Sequence, residues 1–408
     1  VTSTDPIELT QADIAALHQE YDHFSELTVE DRRAEWERRR SECPVSYSSF
    51  HDGFVLLAKF EDAYNVLVDT SGFTSTKGAG IPPQPMPLIP EDLDPPEHRK
   101  FRKPINPALA PQVVATYESW VREYTVSLLD EIDRKLAAMP DPKEIDIVDD
   151  FARPLPQMVT LRLLGIPMEK LELVSRTTTL LSAGTRDEAG AKAGEELFGY
   201  LIELVEEKRN DPTADDMVAT LVREVVDGEP IPHDYVLSMV SLLLFGGLHT
   251  TTGAIASTIV WLADHPADRE LLKNDPTLIK KSLDEIIRFT SPSSHLGRVA
   301  TQDTVIRGCP VRAGQRVMVG IGSGNHDPEK FEHPERMNWG QPANHHLGFG
   351  MGPHRCAGSH LAKLELQVAL EEFVKRYDNY RVPDRSRLHL SGGEVRNLDY
   401  VPLVIEQS

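Results

Sequence analysis

The residues best equipped for chemistry lie between His345 and Leu366, in the run H-H-L-G-F-G-M-G-P-H-R-C-A-G-S-H-L-A-K-L-E-L. Cys356 is one of three cysteines, with Cys43 and Cys309. Glycines at 348, 350, 352 and 358 let the backbone turn tightly and let a flat group come close. Beyond Cys356 the pattern becomes helical: Leu361, Leu364, Val368 and Leu370 fall near one face, and no proline intervenes before Arg376. A cysteine at such a helix start lies where free N–H groups and the helix dipole favour a thiolate. Three chemistries are open to it: an inert buried thiol, a zinc site shared with His345, His346 and His354, or a thiolate beneath a haem iron. The histidines have no accompanying C-x-x-C and their spacing matches no zinc frame, which weakens the second.

Other groups could act with it. Asp94-Pro-Pro-Glu-His98-Arg-Lys-Phe-Arg102-Lys103 is among the most basic short stretches of the chain. Its prolines suit a helix start, and His98 and Arg102, four apart, then share a face. Such a segment can equally be a solvated helix face. Residues 235–264 form the longest apolar run, interrupted by Gly246, Gly247, His249 and the hydroxyls of Thr250, Thr251 and Thr252. The run exceeds the roughly 20 residues that span a bilayer. A central histidine, acidic flanks at Asp234 and Asp264 and the lack of a second span point instead to the core helix of a soluble protein. Glu285 and Arg288, three apart in a helix expected over 276–290, read as a weak surface ion pair. Pro292 ends that helix and Arg298 follows.

The elements that must position these groups are mainly helical. Helical spacing is present around Ile14, Leu17 and Tyr21 and from Val29 to Arg40. Residues 45–58 read as a β-hairpin turning at His51-Asp52-Gly53, followed by a short helix over 60–67. Residues 73–96 are rich in proline and glycine, but Ile81, Met86, Leu88 and Ile89 let the segment fold back over something apolar, as a lid does. Helices over 112–210 are expected to break at 140–142, 154–156 and 165–167, with two helices over 170–205 joined around 184–190. Residues 303–320 alternate like a small sheet, and short strands close the chain over 384–407.

Bulk properties narrow the classes. A length of 408 residues suggests two or three domains, and 40% apolar residues are enough for a large core. A net charge of −21 argues against nucleic-acid binding. Three cysteines form no disulfide framework, which fits a reducing cytoplasm. The initial V-T-S-T-D-P-I-E-L-T has no basic region followed by an apolar run, so neither a signal peptide nor a membrane anchor is expected.

Phe349-Gly350-x-Gly352-x-His354-x-Cys356-x-Gly358 resembles the haem-binding signature of the cytochrome P-450 family, with every signature position filled. The H-x-x-x-R of His98 and Arg102, the Gly246-Gly247-x-His249-Thr250-Thr251 run, the E-x-x-R of Glu285 and Arg288, which the resemblance makes buried and structural, and Arg298 resemble its further motifs, in the same order. The resemblance spans residue 45 to the C-terminus. It implies a mainly α fold with a smaller β region, a long central helix over haem, and one domain over 1–408 in place of several. Cys356 would be the proximal iron ligand, with Phe349 shielding its sulfur and Gly350 in the loop. His98, Arg102, Arg298 and His354 would hold the propionates of haem b. Gly247 would leave room for haem and dioxygen, and Thr250 and His249 would act in catalysis. Two departures stand out. His249 replaces the usual acid, and Asn338-Trp-Gly-Gln341 replaces the usual D-x-x-R, so Arg336 or another group is expected to complete the Glu285/Arg288 network.

What the resemblance implies is a soluble bacterial haem-thiolate monooxygenase, cytoplasmic and monomeric, inserting one oxygen atom of O2 into a hydrophobic small molecule. Electrons would come from a separate ferredoxin-type donor and its NAD(P)H-dependent reductase, docked on Arg99, Lys100, Lys103 and Arg355. Leu243, Leu244, Leu248, the 81–89 loop, residues 293–297 and Val395 would line the substrate site. Ser293, Ser294 and His295 could hold one polar group or simply be solvated loop. The missing acid keeps two alternatives open: a peroxide-using haem-thiolate enzyme, and a haem sensor that binds a small ligand without turnover.

Overall fold

The computed structural model describes residues 19–25, 28–84, 86–182, 188–341 and 345–406. The expected helical spacing at Ile14 and Leu17 lies outside these residues, as does most of the joint around 184–190. Tyr21 itself is in no helix.

The centre is the helix His233–Asp264. It begins directly after Pro232, contains no further proline and is apolar nearly all round, so it must be covered on most sides. Pro154–Leu164, Glu188–Asn210, Leu283–Thr290 and Ser359–Arg376 pack against it. By composition it could cross a membrane, yet most of its apolar surface is buried inside the protein. Val236, Val240, Leu244, Leu248, Ile255 and Ile259 belong to one large core, each burial contributing about 1.5–3 kcal/mol. Ser359–Arg376 buries Leu361, Leu364, Val368 and Leu370 in the same core, the face expected from their spacing.

The β region is a five-stranded sheet in the order Val45–Ser48, Phe54–Leu57, Arg316–Val319, Leu296–Ala300, Phe73–Thr74. All its pairings are antiparallel except Phe54–Leu57 with Arg316–Val319. A three-stranded sheet sets Pro402–Glu406 between Asn379–Arg381 and Glu144–Asp146. The expected hairpin over 45–58 is present.

Two expectations shift. The helix over 276–290 is two short helices, Thr277–Lys281 and Leu283–Thr290, separated at Ser282. The break expected over 154–156 falls at Arg153, between Val148–Ala152 and Pro154–Leu164, and Pro154 occupies the first turn of the latter, where its missing N–H costs nothing.

The proline-rich loop does fold back. Ile81 and Ile89 are buried. Ser238 Oγ of the central helix accepts the Ile89 N–H at 2.7 Å and donates to the Pro87 carbonyl at 2.6 Å. The Asp92 carboxylate closes the loop by accepting the N–H groups of Ala79 (3.0 Å) and Leu88 (2.8 Å).

Candidate functional site

Cys356 sits in the turn that leads into Ser359–Arg376. Its N–H donates to the Phe349 carbonyl at 2.8 Å. Gly350 and Gly352 take φ of +65° and +68°, a left-handed conformation that a side chain would strain. The Cys356 side chain is exposed to open space, yet the protein around it desolvates the sulfur and pushes the thiol above its ordinary pKa. The Gly358 N–H, Arg102 and Arg355 oppose that rise. A sulfur both accessible and desolvated marks the floor of an internal chamber.

Four basic side chains surround this floor. His98 is buried on Glu97–Arg102, and Arg298 is buried on Leu296–Ala300. The His98 and His354 rings lie 4.3 Å apart. Arg102 donates to the Arg355 carbonyl at 2.7 Å and to Asn106 Oδ1 at 2.8 Å. Arg298 donates to the adjacent Gly297 carbonyl at 2.7 Å and makes no ion pair among the described residues. Nδ1 of both His98 and His354 is buried without a partner. Burial, then Arg102 and Arg99, lowers His98 to about 4; burial, then Arg298, His98 and Arg102, lowers His354 to about 3. Basic groups gathered so tightly, with two orphaned histidine nitrogens, leave buried donors without acceptors. Two carboxylates beside a flat ring fit that cradle, so these residues suit the propionates of haem and Cys356 suits its iron.

The zinc alternative fails on geometry. His346 uses both nitrogens, Nε2 with Asp284 at 3.2 Å and Nδ1 accepting the Gly348 N–H at 3.0 Å. Among the described residues only Asp22, His23 and His51 bring metal-ligating atoms together.

The middle of the central helix carries two adjacent glycines. A Cβ at Gly246 would meet nothing, whereas one at Gly247 would lie 2.5 Å from Thr160 Oγ1. The open glycine is therefore Gly246; Gly247, expected on the cofactor side, lets Pro154–Leu164 approach. Thr250 is half-buried one turn beyond Gly246, its hydroxyl donating to the Gly246 carbonyl at 3.2 Å. His249 bonds to the backbone of Thr178, and its own carbonyl accepts Asn397 Nδ2 at 2.6 Å. Burial and then the Arg153 charge lower His249 to about 4, so it is neutral at ordinary pH.

The residues expected around the substrate separate. Leu243 and Val395 are half-buried, and Val395 bridges to Ser293. Leu244 and Leu248 are fully buried in the core, because the helical turn carries them to the face opposite Gly246. Leu242, a turn before Gly246 and half-buried, shares the open face and was not singled out by the sequence. Ser294 is buried, its N–H donating to the Glu394 carbonyl at 2.8 Å. His295 packs its ring 4.6 Å from that of His23, toward the N-terminal segment.

Glu285 and Arg288 form the buried structural pair that the resemblance implies, not a surface pair. Both are 1% exposed and bonded at 2.8 Å. Arg288 also donates to the carbonyls of Asn325, Pro334 and Arg336. The expected Arg336 joins only through its backbone; its side chain is exposed. Asn338 completes the network, giving its N–H at 3.1 Å and Nδ2 at 3.2 Å to Glu285.

On the cysteine side, His98, Arg99, Arg102, Lys103, Asn106, Pro107 and Pro353 line a recess of about 550 Å³. Arg99, Lys103 and Arg355 are exposed. Lys100 is not a free cation: it pairs with Glu97 at 2.9 Å and with Asp227.

Known proteins carry the same arrangement. A family model described as Cytochrome P450 matches residues 179–389. Cytochrome P450 109 of Bacillus spizizenii is 29% identical over 368 residues, 88% of this chain and 86% of the relative. Polyketide biosynthesis cytochrome P450 PksS of Bacillus subtilis is 32% identical over 288 residues, 70% of this chain and 69% of the relative. The crystal structure of CYP101J2 aligns with a TM-score of 0.85 at 26% identity, covering 99% of this chain and 100% of the other. With a cysteine loop and a basic cradle at its centre, a matching family model and relatives along most of its length, the chain belongs to the cytochrome P450 family and is an oxidoreductase of that family.

Proposed function

We propose that this protein is a haem-thiolate monooxygenase, one domain over 1–408, that places one oxygen atom of O2 into a hydrophobic small molecule. The observation carrying this is the buried basic cluster of His98, Arg298 and His354, with Nδ1 of both histidines unpartnered, beside the accessible Cys356 sulfur. Haem b, when bound, supplies dioxygen activation, with the thiolate donating electron density toward O–O cleavage. The chain's own residues do the rest. Cys356 anchors from below, the cradle fixes orientation, and Phe349 and the closed 79–92 loop exclude water. Thr250 holds a hydroxyl over the chamber. Leu242, Leu243 and Val395 offer an apolar wall to the substrate. The exposed Arg99, Lys103 and Arg355 form a docking face for an acidic ferredoxin-type donor, fed by an NAD(P)H-dependent reductase.

A peroxide-driven route is the second reading. It is favoured by His249, which is neutral and already bonded to Thr178 where the family places an acid. Peroxide brings its own electrons and protons and needs no relay there. A carbon monoxide difference spectrum tests the thiolate, and product formed with NAD(P)H, ferredoxin and reductase against product formed with peroxide tests the route. A spectrum without the thiolate band removes both readings.

A further inference from the structure

One cluster of metal-ligating side chains lies away from the cysteine loop. Asp22 and His23 belong to the segment before helix Val29–Glu42, and His51 to the turn of the 45–58 hairpin. A carboxylate oxygen of Asp22 and one ring nitrogen of each histidine all lie within 4.8 Å of one another. The two imidazole rings are 4.7 Å apart and meet edge to face. His51 Nε2 is 2.9 Å from Asp22 Oδ1, and the same oxygen accepts the Phe24 N–H at 3.0 Å. Among the described residues the other carboxylate oxygen, Oδ2, accepts no hydrogen bond, so Asp22 has lone pairs to give.

An Asp–His pair with a second histidine beside it is often only a surface contact. His23 argues against that here. It is 1% exposed, and its Nδ1 is buried without a partner. The ring bonds to the Ile81 backbone, and burial, then the neighbouring His51, lowers it to about 4. It is therefore neutral at ordinary pH, with a lone pair on the nitrogen that has no partner. A buried acceptor left in that state is costly, and the cost falls away when a positive centre reaches it. Neighbouring side chains do not answer it. The His295 ring, 4.6 Å away, has a buried unpartnered nitrogen of its own, and Arg396 donates to the His23 carbonyl at 2.9 Å and the Tyr21 hydroxyl at 3.1 Å. His51 and Asp22, with 21% and 32% of their side chains exposed, leave a way in from solvent.

We propose that Asp22, His23 and His51 bind a divalent ion of the zinc type, with water in the fourth position. Two imidazoles and a carboxylate are ligands that such an ion takes at about 2.0–2.1 Å, which sets the ligand atoms about 3.3 Å apart. His23 binds through Nδ1, its orientation fixed by the bond to Ile81, as the outer contacts of metal-bound histidines do. The ion joins the segment before Val29–Glu42 to the hairpin turn. Through Ile81, and through the His23 carbonyl that accepts the Gly393 N–H at 2.8 Å, it also steadies the proline-rich loop and the C-terminal turn. This site stands whether or not the haem-thiolate reading does.

The test titrates zinc chloride into the full chain as purified, without an oligohistidine tag and after chelator treatment, by calorimetry. A binding event of one equivalent is expected with a Kd of about 1 µM. Asp22→Asn, His23→Asn and His51→Asn each weaken it about tenfold or more. His51 takes φ of +53°, which Asn tolerates, and it and Asp22 are only partly buried, so these two variants decide the matter if His23→Asn does not fold. His333→Asn is the control. His333 has φ of +51° and is exposed beside Glu335, and its loss is expected to leave the Kd within about twofold. With free zinc about a hundredfold above Kd, the native Tm rises by about 3 °C and that of His51→Asn does not. Calcium, which prefers oxygen ligands, binds at least about a hundredfold more weakly. A native Kd weaker than about 100 µM overturns the proposal. So does zinc binding that survives all three variants, that is lost equally in His333→Asn, or that calcium matches.

Discussion

His249→Asp restores the acid that the family places beside its threonine, and the structure says what that costs and what it changes. The native ring bonds to the Thr178 backbone and ties the central helix to Leu171–Ser182. Aspartate is shorter and, when charged, cannot donate, so one hydrogen bond of about 0.5–1.5 kcal/mol is lost. A carboxylate next to Arg153 recovers part of that through attraction, so stability falls by no more than about 1 kcal/mol. The effect on chemistry is larger. Native His249, lowered to about 4, stays neutral and carries no titratable proton between pH 5.5 and 8. Product formed per NAD(P)H in the native enzyme is therefore expected to be flat across that range. A carboxylate able to pass protons to Thr250 contributes on the scale of general acid–base groups, roughly 10²-fold or more, of which at least about tenfold is expected in coupled turnover. Peroxide-driven product, which needs no relay, stays within about twofold of native. The assay is product against NAD(P)H consumed with one ferredoxin–reductase pair, using any compound that shifts the spin state. Unchanged coupling in His249→Asp, or a native profile that rises or falls tenfold between pH 5.5 and 8, refutes the neutral, Thr178-bound ring.

Four more outcomes follow from named contacts. Arg288→Ala leaves the Glu285 carboxylate buried and unpaired and is expected to cost about 3–5 kcal/mol, whereas Asn338→Ala removes one side-chain hydrogen bond and costs about 1 kcal/mol, both by denaturant unfolding. If the proposed cradle holds haem, His98→Leu and Arg298→Leu each delete a charge-assisted contact to a propionate, worth about 1.5–3 kcal/mol, and so speed haem transfer to apomyoglobin roughly tenfold to a hundredfold. Arg99→Glu and Lys103→Glu slow reduction by an acidic ferredoxin in a salt-dependent way, while Lys100→Glu has a smaller effect because Lys100 is already paired with Glu97 and Asp227. His249 and His326, lowered to about 4 and about 3, bind fewer protons folded than unfolded. Their contribution is intact above the unfolded value near 6.5 and fades as pH drops toward the folded values, by at most about 2 kcal/mol per histidine between pH 6.5 and 5.

How far the site could be read from the sequence depended on how local each piece is. The loop before Cys356 was legible because its geometry is written in consecutive residues: Gly350 and Gly352 take left-handed φ where the pattern places glycine, and the helix that follows buries the leucines its spacing marks. The central helix was legible as an element but not as a surface. It is apolar nearly all round, so periodicity gives no preferred side. Leu244 and Leu248 read as suitable for the substrate wall, yet both are buried in the core, and only the packing of Thr160 against Gly247 shows that Gly246 is the glycine facing open space. Long-range completion was less legible again. Nothing near Asn338 announces that its amide finishes a buried ion pair 53 residues away, in place of the arginine side chain that was expected. Motifs that hold a shared cofactor are local because every member of the family must rebuild the same cradle. Contacts such as that of Asn338 with Glu285 are assembled from distant segments, so each segment can vary without disturbing the loop before Cys356 and no motif marks them.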